Sequence, residues 1–140
     1  MLNVTFVRPP MESIVSSAKP SGPYGISFLS ATLKREPGYN VSLVDGETYQ
    51  YFWKKIGIFE RLLSYLNPSH VGRAAQTRLR TVMEDEDHPY WHEFVEMIID
   101  TRPEVIGFSG YTQNITAIGI ISKYLKQKLP NAHIVLGGVH

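Results

Sequence analysis

The six residues "EVIGFS", 104–109, constrain the fold of this chain more than any other stretch. A strand with one face in water alternates apolar and polar residues, whereas a nearly continuous apolar run is the pattern of a central parallel strand covered on both faces. Parallel neighbours cannot be joined by tight turns, so helical crossovers should separate the strands. The chain has that alternation. "LNVTFV", 2–7, is short and β-branched and stops at Arg8-Pro9-Pro10, which cannot continue a hydrogen-bonded ladder. "VSLVD", 41–45, and "AHIVLGG", 132–138, read as two further strands. Between them, Pro23 suits a first helical turn, and Ile26, Leu29 and Leu33 recur at helical spacing until Pro37-Gly38, which predicts a helix over about 24–35. A second helix is expected at about 89–100, ended by Pro103. A third should run from a Thr112 cap to about 129, with Ile115, Ile118, Ile121, Leu125 and Leu129 on one face.

Alternating strands and helices with apolar strands imply an α/β fold: a flavodoxin-like (Rossmann-type) open parallel sheet with helices on both faces. The expected strand order is 2-1-3-4, with the fifth strand of that plan missing. The 140 residues and their 43% hydrophobic content suit one domain over 1–140, with a helical insertion at about 50–88. In that insertion Phe52, Ile56, Phe59, Leu63 and Leu66 form an apolar stripe, explained by packing against the sheet or, alternatively, by a lid. The acidic run "EDED", 84–87, precedes the second helix, where the macrodipole favours negative charge.

A formal net charge of +1 gives no electrostatic basis for binding nucleic acid or an anionic membrane surface. There is no cysteine, so disulfides, thiolate metal sites and cysteine nucleophiles are excluded within these residues. The amino terminus lacks a signal-peptide core, and no apolar run approaches the ~20 residues that span a bilayer, so a cytoplasmic protein is expected. His88 and His92 flank a helix start beside Glu84 and Glu93, but "HPYWH" is not H-E-x-x-H and no third ligand is evident. No metal site and no catalytic residues are assigned.

In an open α/β sheet of this order, ligands bind outside the carboxyl ends of the strands where the winding reverses. Those ends are the long loop after Arg8 and "SGYT", 109–112, with "GGVH" one strand further along. Ser109 offers a small donor and acceptor, Gly110 and the Gly137-Gly138 pair let backbone approach a flat ligand, and Thr112 opens a helix whose free N–H groups suit an anion. No acid–base pair or nucleophile accompanies this cradle. "RPPMESIVSSAKPSGPYG" matches neither G-x-G-x-x-G nor a Walker A loop, and its double proline obstructs a flavin phosphate loop.

Together, "VRPP", "GPYGISFLSATLKREPGYNVSLVD", "RPEVIGFSGYTQN" and "KLPNAHIVLGGVH" resemble the amino-terminal cobalamin-binding domain of cobalamin-dependent radical S-adenosylmethionine enzymes. The resemblance covers most of the chain outside about 50–90. It implies that the nucleotide tail of cobalamin extends into the domain, with Ser109, Gly137 and Gly138 lining its channel and Gly110, Tyr111, Thr112 and Val139 beside it. It also implies Pro9, Pro10, Met11 and Gly25 near the corrin or its tail. The D-x-H-x-x-G segment of other cobalamin domains is absent, since residues 8–25 hold no His, so the expected state is base-off cobalamin without a His ligand. The family's three-cysteine site is also absent here. A [4Fe-4S] cluster, S-adenosylmethionine and a radical S-adenosylmethionine domain are therefore expected only in a longer parent, a methyltransferase or cyclase. The alternative is a non-catalytic binding or regulatory domain for a corrinoid or another flat, phosphorylated ligand. An apolar, unpaired edge on the fourth strand is expected to be covered by self-association.

Overall fold

The computed structural model describes residues 1–10, 23–46, 58, 62 and 80–138. Strand β1 (Leu2–Arg8) is followed by helix α1 (Tyr24–Leu33), β2 (Tyr39–Asp45), α2 (Pro89–Ile99), β3 (Val105–Gly110), a 3-10 turn (Thr112–Asn114), α3 (Ile115–Lys128) and β4 (His133–Gly138). The four strands form one parallel sheet in the order β2-β1-β3-β4, as expected from sequence. The apolar stripe of Phe52, Ile56, Phe59, Leu63 and Leu66 lies outside the described residues; Ile58 and Leu62, which do not belong to it, are helical and exposed.

Register decides which side chains share a face. Thr5 pairs with Ile106, Val7 with Val44 and Phe108, and Ile106 with Ile134. This row meets α2 and α3, where Trp91, Phe94, Val95, Ile98, Ile121 and Leu125 complete the core. Thr5 is the polar member of the row, 1% exposed, and its hydroxyl shares a 2.6 Å hydrogen bond with Thr101 Oγ1. Burial there costs little because the hydroxyl keeps a partner.

The ends of β1 and β2 are tied together. Arg8 and Asp45, register partners, form a two-point ion pair at 2.7 and 2.8 Å, and Gly46 N–H donates to the Arg8 carbonyl at 2.7 Å. Gly46 has no room for a side chain: a Cβ would stand 2.6 Å from the Phe94 ring.

Local structure adds detail to the expectations around α2. The acidic run does not enter the first turn of α2; His88 caps that helix, its Nδ1 accepting from Tyr90 N–H at 3.1 Å. Glu86 instead pairs with Lys123 at 2.9 Å, and Asp87 accepts from the Tyr124 hydroxyl at 2.8 Å, so the run is fastened to α3. The other member of the histidine pair, His92, packs edge-on against Tyr124. Among the described residues no group of three His, Asp or Glu could hold a metal, and no helix is long and apolar enough to cross a membrane. Finally, α2 ends at Ile99 ahead of Pro103, as expected; the reversal is made by Arg102, whose φ is 51°, and β3 starts at Val105.

Candidate functional site

Among the described residues, α1 is the element that covers the opposite face of the sheet. Helix α1 packs on β1 and β2, and only Ile26 and Ser30 of it are buried. The helical stripe of Ile26, Leu29 and Leu33 therefore does not all face the sheet. Leu29 is 52% exposed, and Tyr24 and Phe28 are 80% and 73% exposed, because α1 leans over the gap above β3 rather than closing on it.

Beneath that overhang lies a cavity of about 710 Å³, inside the ~300–1,000 Å³ range of small-molecule sites. Its floor follows from strand alternation: Phe6 pairs with Gly107 and Gly107 with Val135, and two residues on, Ser109 pairs with Gly137. These five residues line the cavity, with Tyr24, Gly25, Ile26, Phe28 and Leu29 of α1 opposite and Tyr111 at the carboxyl end. "EVIGFS" is thus apolar on two faces for two reasons. Ile106 and Phe108 are buried under helices, while Val105, Gly107 and Ser109 stay half-buried on the cavity side.

Glycine shapes the floor in distinct ways. A Cβ on Gly107 would lie 3.1 Å from the Phe6 ring, so its absence lets that ring spread across β3. At Gly137 the nearest atom to such a Cβ is 4.0 Å away, and at Gly25 there is none within 4 Å. Gly138 is different. Its φ of 132° is open to glycine alone in practice, and a Cβ would overlap the Gly110 carbonyl.

Of the residues singled out in the sequence, the structure brings Gly25, Ser109, Tyr111, Gly137 and Gly138 together around the cavity. Gly110 is buried below Gly138. Pro9 and Pro10 are buried at the end of β1 and do not line the cavity, and Thr112 is exposed beyond its rim. Met11 and Val139 lie outside the described residues.

Thr112 also does not cap the helix. Asn114, 1% exposed, organises this corner: its Oδ1 accepts from Tyr111 N–H at 2.7 Å and its Nδ2 donates to the Ser109 carbonyl at 3.2 Å. Asn114 N–H, one of the helix-start N–H groups expected to be free for an anion, donates to the Tyr111 carbonyl at 3.0 Å and is consumed inside the loop. The sequence signal for this was present in "SGYTQN", since Asn favours local backbone hydrogen bonds, but Thr competes for the same role. Phe6, Tyr24, Phe28 and Val135 were not legible as lining residues, because their exposure depends on how far α1 reaches across the sheet.

The chemistry of this lining is that of a slot for a flat, weakly polar group. Aromatic rings and backbone supply contact area, Ser109 supplies a hydroxyl, and no charged side chain belongs to the lining among the described residues. A family model, the B12 binding domain, matches residues 14–140. No curated protein and no solved structure matches the chain.

Proposed function

The chain belongs to the B12 binding domain family, and from this we propose that it is the cobalamin-binding module of a radical S-adenosylmethionine enzyme, a methyltransferase or cyclase, holding base-off cobalamin. The observation that carries the reading is the cavity over β3 and β4, where Gly25, Gly107 and Gly137 leave the space that side chains would otherwise fill. That cradle fits the nucleotide tail of cobalamin. Gly137, Gly138 and Ser109 would hold the tail from the sheet side, Gly25 would let α1 approach it, and Tyr111 would stand at the mouth. Gly110 and Thr112 are assigned supporting places beside it, and Pro9, Pro10, Met11 and Val139 places towards the corrin.

Bound cobalamin supplies a cobalt centre able to take up and give out alkyl groups. The chain's own part is to bind and orient. Asn114 fixes the loop that presents Ser109, and the Arg8–Asp45 pair fixes the carboxyl ends of β1 and β2. No His occurs in residues 8–25, which supports a cobalt without a protein imidazole below it. With no cysteine in the chain, a [4Fe-4S] cluster and S-adenosylmethionine belong to a partner domain in the parent enzyme. The reading takes residues 1–140 as one domain with the insertion at about 50–88, in a cytoplasmic setting, and includes self-association through β4. The association with radical S-adenosylmethionine enzymes rests on the resemblance of "RPEVIGFSGYTQN" and "KLPNAHIVLGGVH" to that group.

Titration with hydroxocobalamin tests the ligand. A saturable change in the visible spectrum and co-elution of corrinoid with the protein are expected in the micromolar range. Absence of both overturns cobalamin binding. A C-x-x-x-C-x-x-C cluster in a continuing reading frame would support the parent assignment; its absence would favour a stand-alone carrier or regulator.

A further inference from the structure

The cavity wall carries information about which corrinoid it accepts. Cobamides share the corrin ring and nucleotide loop but differ in the base at the end of the tail: a benzimidazole, a purine or a phenol. On the reading that this cavity takes the tail, we infer that it selects cobamides with an apolar aromatic base, benzimidazolyl or phenolyl, and rejects those with a purine.

The inference starts from what a buried base would meet. Phe6, Phe28, Leu29 and Val135 present carbon, and Gly107 and Gly137 present backbone. The polar side chains of the lining are Ser109 and the tyrosines Tyr24 and Tyr111, both of them exposed towards water at 80% and 44%. No Asn, Gln, Asp or Glu belongs to the lining among the described residues. Backbone does not make up the difference on β3, because that strand is paired on both sides, with β1 and with β4.

A purine arrives with more polar groups than this wall can answer. Adenine carries an exocyclic amine with two N–H donors and several ring nitrogens that accept. Dimethylbenzimidazole retains a single free ring nitrogen, and a p-cresolyl group has none. Ser109 can serve one group, and among the described residues of the lining the remaining groups of a buried adenine find no further buried polar side chain. A single hydrogen bond to water lost without replacement costs about 1.4 kcal/mol, or about tenfold in affinity. Benzimidazole and purine are both flat bicyclic rings able to stack on aromatic faces, so stacking gives the purine no compensating advantage over benzimidazole.

The test compares dicyano forms of cobalamin, p-cresolyl cobamide and adeninyl cobamide, with cobinamide, which lacks the tail base, as reference. Excess cyanide fills both axial positions of cobalt, so every base is free and its release from the metal does not enter the comparison. Equilibrium dialysis against the 140-residue chain, read by corrin absorbance, gives the four affinities. Cobalamin and p-cresolyl cobamide are expected to bind at least about tenfold more tightly than adeninyl cobamide, with cobinamide weaker than either of the first two. Adeninyl cobamide within about threefold of cobalamin overturns the selectivity and leaves cobalamin binding intact. Cobinamide binding as tightly as cobalamin overturns it as well, by showing that the cavity does not receive the tail. Binding of none of the four removes the underlying reading, and the selectivity with it.

Discussion

At the scale of single residues, the adjacent glycines at the end of β4 have opposite reasons to be glycine. Gly137 opens into the cavity with its nearest potential contact at 4.0 Å, so a side chain there meets ligand space before it meets protein. Gly138 is held at φ 132° with the Gly110 carbonyl in the place of its missing Cβ. Replacing Gly137 by Leu should therefore leave the thermal midpoint nearly unchanged and weaken hydroxocobalamin binding by roughly tenfold or more, the loss expected when a side chain occupies a ligand's volume. Replacing Gly138 by Ala should lower stability by more than ~1 kcal/mol, because the backbone must leave a region L residues avoid. Urea denaturation and cobalamin titration on both variants separate the two. Equal stability losses would show that the glycines share one role. Ser109→Trp, which puts an indole on the floor of the cavity, should behave like the Gly137 variant; unchanged affinity would count against this face as the tail's channel.

At the scale of elements, the strands were legible because their signals are local, short apolar runs bounded by Pro and Gly and spaced for crossovers, whereas their order followed from the common plan of such sheets and not from any local signal. The extent of coverage was not. Whether Leu29 of α1 faces the sheet or the gap depends on which strands α1 packs against, and Arg8 finds Asp45 only through a register set 37 residues away. Those are long-range facts, and the half-open face of β3 is their joint result. The α2–α3 layer shows the same contrast. "HPYWHEFVEMIID" announces an amphipathic helix, but nothing in it announces that Trp91, fully buried, donates its Nε1–H to both the Val82 and Asp85 carbonyls at 3.1 and 3.0 Å. That fork joins the helical residues at 80–84 to α2. Trp91→Phe should cost about 1–3 kcal/mol in denaturant unfolding, since the Val82 and Asp85 carbonyls lose the indole donor and keep only longer backbone bonds, from Asp85 N–H at 3.4 Å and His88 N–H at 3.2 Å, and the smaller ring leaves a gap. A loss under ~0.5 kcal/mol would mean that the fork is not structural. A neighbouring tie holds α3. Hydrogen bonding to Asp87, then burial, raises the Tyr124 phenol above its usual 10.0. Its contribution is thus complete at neutral pH and is lost only as pH climbs through that raised value.

At the scale of the whole molecule, the two faces of the sheet are unequal and so are its two edges. Among the described residues, α2 and α3 pack on one face, while on the other α1 packs on β1 and β2. At the edges, β2 ends in the Arg8–Asp45 pair and carries exposed Tyr39 and Leu43, while β4 presents Val135 and Leu136 at 49% and 50% exposure beside main-chain groups that no described strand pairs. Among the described residues this parallel edge carries apolar side chains and neither the Lys nor the Pro that commonly guards an edge against strand pairing between molecules. The chain should therefore self-associate in a concentration-dependent way through β4. Sedimentation velocity over a wide loading range should show a weight-average mass rising above that of one 15.9 kDa chain. Leu136→Lys should shift the distribution back towards monomer while leaving cobalamin binding in place, because Leu136 is not part of the cavity lining. A single monomeric species at every concentration would overturn the association. An unchanged distribution in the Leu136 variant would move the contact to another surface, the exposed Tyr24 and Phe28 of α1 being the alternative that a Phe28→Lys change addresses.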